Sequence, residues 1–125
     1  MTPPYAYVAN YGGTVSVIKT STNKVVKTVT VGDGAAAVAI APNGSDAYVT
    51  NDGSGTVSVI QISTNTVVKT VTVGDASQGV AITPNGRDAD VANRESNTVS
   101  VIKTSTNKVV KTVTVGDDPD GVAIT

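Results

Sequence analysis

The feature that most constrains this chain is its internal repetition. Thr14 to Asp33 reads TVSVIKTSTNKVVKTVTVGD, and Thr98 to Asp117 repeats those twenty residues without a change. Thr56 to Asp75 is the same run except at Gln61, Ile62 and Thr66. Thr14, Thr56 and Thr98 stand 42 residues apart. Other landmarks keep that step, namely Val38-Ala39-Ile40, Val80-Ala81-Ile82 and Val122-Ala123-Ile124, with Pro42-Asn43-Gly44 and Pro84-Asn85-Gly86 after the first two. The first copy is one residue short, since Tyr11 to Gly13 replaces a four-residue bridge, and a loop tolerates such a change. Repetition at this period means stacked copies of one supersecondary unit, none of which buries its apolar face alone.

Each unit reads as four strands bounded by turn residues. In the third copy, strand one is Gly79 to Thr83, followed by Pro84-Asn85-Gly86, whose Asn-Gly suits the positive backbone angles of a tight hairpin. Strand two is Ala89 to Asn93, and Arg94 to Asn97 turns into strand three, Thr98 to Thr104. There Val99 and Val101 lie opposite Ser100 and Ile102. After Ser105-Thr106-Asn107, strand four runs from Val109 to Val115, with Val109, Lys111, Val113 and Val115 expected on one side. The chain has no Phe, Trp or Cys, four Tyr and one Met, so its core must come from Val, Ile and Ala, which suits strands. No segment has helical periodicity.

Four strands in about 42 residues predict an all-β fold of three four-stranded antiparallel β-propeller blades. Blade one covers 5–33, blade two 36–75 and blade three 79–117. The repeat is out of phase with the chain, which starts at strand two and finishes at strand one. The prediction is closure in trans, with Gly121 to Thr125 of one chain completing the sheet that begins with Tyr5 to Asn10 of another. Tyr5, Tyr7, Val8 and Asn10 would meet Gly121, Val122, Ala123 and Ile124. Two chains would form a six-bladed ring, or an open filament if the rotation does not close. Burial of Val122 and Ile124 would contribute roughly 3 to 6 kcal/mol before entropy.

Nine basic against ten acidic residues, with no polybasic run, argue against nucleic acid as a partner. No stretch approaches the ~20 apolar residues of a membrane span, and Met1-Thr2-Pro3-Pro4 does not open a signal peptide. Without His or Cys, and with no Ser beside a recognisable base, no catalytic residue and no cofactor are expected. A lactonase-like hydrolase with carboxylate-bound metal is the enzymatic alternative. The one crowded acidic segment holds Asp117, Asp118 and Asp120, weak candidates for calcium, although only the first Asp recurs in other copies. Asp90 stands where Tyr7 and Tyr48 stand elsewhere, near Arg87 and Arg94, and reads as an exposed or tolerated position, with a specific site as the alternative. Asn43-Gly44-Ser45 is a formal glycosylation sequon. Lys24, Lys27, Lys69, Lys108 and Lys111 lie on the outermost strands, where lysine discourages further pairing.

Tyr48-Val49-Thr50-Asn51, then Thr56 to Ile60, then Gly79-Val80-Ala81-Ile82-Thr83-Pro84-Asn85-Gly86, together resemble the YVTN family of β-propeller repeats over essentially the whole chain. The resemblance implies archaeal or bacterial surface-layer proteins, an extracellular or cell-surface location, adhesive or scaffolding roles, about seven blades in a typical member and no shared catalytic set. The expected function is a non-catalytic structural module that assembles with itself. A binder of surface glycans or small ligands at the channel mouth, or a designed or excised propeller section with no role of its own, are the alternatives.

Overall fold

The structure, a computed structural model, describes residues 4–125. Among them, eleven strands form three antiparallel sheets in chain order. The first contains β1 (Tyr5–Asn10), β2 (Thr14–Lys19) and β3 (Lys24–Thr30). The second contains β4 (Ala35–Ile40), β5 (Asp46–Asn51), β6 (Thr56–Gln61) and β7 (Thr66–Thr72). The third contains β8 (Ser77–Ile82), β9 (Asp88–Asn93), β10 (Thr98–Lys103) and β11 (Lys108–Thr114). One 42-residue unit is therefore one meander, and the first sheet lacks the inner strand that β4 and β8 supply to the others. The inner strand of the third sheet starts at Ser77 rather than Gly79, because Ser77 pairs with Asn93 ahead of a bulge. The described residues contain no helix, hence none long and apolar enough to cross a membrane.

Turn chemistry follows the sequence with one difference. Asn23, Asn65 and Asn107 adopt φ of 55°, 53° and 53° in the β2–β3, β6–β7 and β10–β11 turns, the left-handed conformation that Asn tolerates. In the Asn-Gly hairpins only Gly44 and Gly86 have positive φ, at 76° and 75°. Asn43 and Asn85 contribute their side chains instead, each Oδ1 accepting a 3.0 Å bond from the backbone N–H of Ser45 or Arg87.

A β-bulge corrects the reading of strand four. In each sheet the register skips one residue, so that Val101 faces Lys111 while the adjacent Ile102 faces Val109. The same skip leaves Val26 and Val68 out of the ladder of their own sheets. Val109 therefore lies on the Ile102 side and packs into the core, away from the side of Lys111, Val113 and Val115. Period-2 alternation cannot register an inserted residue. Bulges on the outermost strands, with their lysines, also blunt those edges against further pairing.

The core lies between the sheets. Val15, Val17 and Val29 of the first sheet pack on Ala47, Val49 and Ile60 of the second. Tyr48, Val57, Val59 and Val71 of the second pack on Ala89, Val91 and Ile102 of the third. Each sheet thus has a leading face, carrying the Val-x-Val pair of its third strand, and a trailing face, carrying the Ile that follows. Inner strands are crowded. A Cβ on Gly79 would sit 2.6 Å from the Asp120 carbonyl oxygen, which accepts the Gly79 N–H at 2.8 Å. Gly121 to Thr125 runs beside β8 without joining a ladder, with Val122 and Ile124 half-buried and their neighbours exposed.

Candidate interaction surface

Two joints between sheets repeat the donor contacts of the Asn that ends each second strand, but differ at its Oδ1, which in Asn51 is buried without a partner. Asn51 Nδ2 donates to Thr56 Oγ1 at 3.1 Å and Ser58 Oγ at 3.0 Å, and Asn93 Nδ2 donates to Thr98 Oγ1 at 3.1 Å and Ser100 Oγ at 2.9 Å. Both asparagines are fully buried. On the other side, Asn93 Oδ1 accepts the N–H of Gly74, from the preceding unit, at 3.1 Å. A Cβ on Gly74 would lie 2.6 Å from Asn93 Cγ, and one on Gly32 would lie 2.8 Å from Asn51 Cγ. The glycine of each Gly-Asp pair therefore admits the asparagine of the next blade. Asn93→Ala should cost about 2 to 3 kcal/mol in urea unfolding, because it leaves buried donors and acceptors unpaired. Asn10→Ala should cost about 1 kcal/mol, since Asn10, which bonds Thr14 and Ser16 in the same way, is only half-buried.

The second contact is made by tyrosine. Tyr7 Oη donates to Asn65 Oδ1 at 2.5 Å, and Tyr48 Oη donates to Asn107 Oδ1 at 2.6 Å, each reaching the turn asparagine of the next blade. Burial, helped by the negative charge of Asp46, pushes the Tyr48 hydroxyl up to about 12. Burial and Tyr5 raise that of Tyr7. Backbone bonds complete the joints, with Asp52 and Gly53 donating to the Gly34 and Asp33 carbonyls, and Arg94 and Glu95 to those of Ala76 and Asp75. Sequence reasoning missed these contacts. The signal available was the 42-residue step of Gly-Asp and the turn Asn, which the strand-end Asn keeps from Asn51 to Asn93 and misses by one residue from Asn10 to Asn51.

Among the described residues, two faces of this kind have no blade against them. On the leading face of the third sheet Val113 is 41% exposed, whereas its counterparts Val29 and Val71 are each 5% exposed. On the trailing face of the first sheet Val8 is 41% exposed, whereas Val49 and Val91 are fully buried. Val99, Val101 and Val115 extend the first surface, and Ile18, Val25 and Asn10 the second. A Cβ on Gly116, the counterpart of Gly32 and Gly74, would meet nothing within 4 Å.

Of the predicted interface residues of the first sheet, some lie on the uncovered trailing face and others do not. Val8 and Asn10 belong to the uncovered trailing face. The side chains of Tyr5 and Tyr7 turn to the second sheet and line a cavity of about 790 Å³ with Pro4, Ile40, Asn43 and Ile62. Among the described residues, no strand pairs with the inner backbone edge of β1. Asp90 occupies the tyrosine register, opposite Val101 as Tyr7 is opposite Val17 and Tyr48 opposite Val59. Its half-buried carboxyl is raised by burial and then by Asp88, so the arginines named in the sequence reading do not dominate its surroundings. Asp117, Asp118 and Asp120 are exposed, and no group of three His, Cys, Asp or Glu side chains among the described residues could hold a metal ion. Asn43 of the sequon is exposed in its hairpin.

Antiparallel four-stranded sheets, stacked face to face through their third and second strands with inner strands side by side, define β-propeller blades. The chain belongs to the lactonase, 7-bladed β-propeller family, whose model matches residues 6–118. It is similar to Kuenenia stuttgartiensis hydrazine synthase, with a TM-score of 0.90 and 31% identity over 94% of this chain and 34% of that one. A functionally unknown protein from Desulfotomaculum acetoxidans DSM 771 gives 0.83 and 18% identity over 97% of this chain and 42% of that one. U3-55K gives 0.83 and 15% identity over 91% and 37%. The chain thus spans 34% to 42% of the length of these structures. No curated protein matches it by sequence.

Proposed function

We propose that this chain is a non-catalytic structural and interaction module that joins head to tail with further copies of itself. One observation carries the reading. The leading face of the third sheet and the trailing face of the first are the two halves of a joint that the chain already makes twice within itself. A second copy is the occupant that matches both, because it offers Val8, Asn10 and Ile18 where Val91, Asn93 and Ile102 meet the second sheet. Its β1 would then receive Gly121 to Thr125 as inner strand. By the pairing of Val38 with Val49 and Val80 with Val91, Val122 falls opposite Val8. On the resemblance to surface-layer repeats, such an assembly would serve as a scaffold or adhesive layer at a cell surface.

The absence of cysteine gives a clean test. A Val8→Cys, Val122→Cys chain should oxidise to covalent oligomers at dilute concentration, and the parent chain should show a native mass of two copies or more. A single-chain mass for the parent up to about 100 μM, with no covalent oligomer, would overturn the reading. Copies of three blades close only at multiples of three, so images that count six blades, nine or an open array describe the assembly directly. The family description supports a second reading, lactone hydrolysis by a complete propeller. Turnover of a lactone with added divalent metal would favour it.

A further inference from the structure

We infer that Asp90 sets the strength of the joint between copies, weakening it at neutral pH and strengthening it in mild acid. The inference rests on the head-to-tail reading above, and it concerns a position on the sheet face where the open joint departs from the two closed ones; the shorter Tyr11–Gly13 bridge, which lacks the serine of the later copies, is a second departure at the rim. At the closed joints a tyrosine fills the register opposite Val17 or Val59 and bonds the turn asparagine of the next blade. At the open joint the same register holds Asp90, while Asn23 of a second copy, at φ 55°, has the conformation of Asn65 and Asn107. An aspartate is too short to make the tyrosine's contact. As a carboxylate it also carries a charge onto a face whose other side chains include Val99, Val101, Val113 and Val115, with exposed Lys111 on the outermost strand.

The charged groups around it do not offset that penalty. On its own strand Asp88 is the nearest, and it repels. On β10, Lys103 pairs with Asp88 across the ladder, and on β11, Lys111 faces Val101 while Lys108 faces Lys103. Inner strand β8 contributes no titratable group. From a second copy, Lys19 and Lys24 flank the Asn23 turn. Lys19 is half-buried and Lys24 exposed, and their counterparts Lys103 and Lys108 are exposed although a sheet packs beside them, so the attraction acts largely through water and is weak. Desolvation of the carboxylate therefore outweighs the attraction. Burial and Asp88 already raise the Asp90 carboxyl in a single chain, and covering it raises it further. The joined state thus holds the proton more tightly than the separated one. Association is fully favoured below the separated-state value and weakens as pH rises through the joined-state value, about tenfold for each unit between the two.

The test is the dissociation constant of the parent, Asp90→Asn and Asp90→Tyr chains by sedimentation velocity from pH 7.5 to 4.5. The parent should tighten tenfold or more on acidification. Asp90→Asn should bind at pH 7.5 about as tightly as the parent does in acid, without a pH step, and Asp90→Tyr should bind more tightly still. General association near the sequence pI of about 5.1 would appear equally in Asp90→Asn, which isolates the contribution of Asp90. A parent without a pH step, or an Asp90→Asn chain that retains it, overturns the inference. If all three associate alike, only the role of Asp90 falls. If none associates at any pH, the head-to-tail reading falls with it.

Discussion

Aspartate at Val101 should leave the three blades folded but hold the protein at the mass of one chain, whereas aspartate at Val59 should unfold it. The two valines sit in the same five-residue run, Thr56 to Ile60 and Thr98 to Ile102, yet their surroundings differ. Val59 is fully buried between the second and third sheets, and an unpaired carboxylate there costs several kcal/mol, a large part of the stability of a domain this size. Val101 is half-buried on the uncovered leading face, so a charged group there keeps its water in the single chain. In a head-to-tail joint that group would be dehydrated beside Val8 and Ile18 of the next copy. A penalty of about 3 kcal/mol weakens association more than a hundredfold. Circular dichroism during heating and native mass spectrometry separate the two outcomes. A Val101→Asp chain that still assembles like the parent would exclude this face as the joint.

Glycine to alanine at position 74 should lower stability by about 3 kcal/mol, on the order of 10 °C in Tm, while the same change at position 116 should leave the single chain nearly unaffected. At Gly74 the new methyl would lie 2.6 Å from Asn93 Cγ and 2.8 Å from its Nδ2. Asn93 is fully buried and holds three hydrogen bonds, so it cannot withdraw without leaving polar groups unpaired. At Gly116 the methyl meets nothing within 4 Å. If Asn10 of a second copy enters there as Asn51 and Asn93 enter at Gly32 and Gly74, Gly116→Ala should weaken assembly about tenfold or more. Differential scanning calorimetry of both variants, with native mass for the second, checks the pair. Equal loss of Tm from the two would show that the asparagine contact does not distinguish them.

Much of this architecture was legible in the residues. The identical twenty-residue runs, the four β-branched segments per unit and the Gly, Asn and Pro between them specify the meander, because period-2 patterning and turn chemistry act over a few neighbours. The bulges were not legible, since Val25-Val26, Val67-Val68 and Val109-Val110 read equally well in either register. Only pairing with Val17-Ile18 and its repeats selects one. The Asn–Gly joints were visible only as a recurrence. Asn51 and Gly32 are nineteen residues apart, and nothing local says that one needs the space beside the other.

What the sequence by itself determined is therefore the repeated unit and its strand count. What only the tertiary structure decided is which copies of the same residue are buried. Val17, Val59 and Val101 are equivalent in sequence, but the first two are sealed by a following blade and the third is half-open. Burial belongs to the neighbours a side chain meets rather than to the side chain. That is why three nearly equal units yield two closed joints and two uncovered faces, with Asp90 half-buried on one of them.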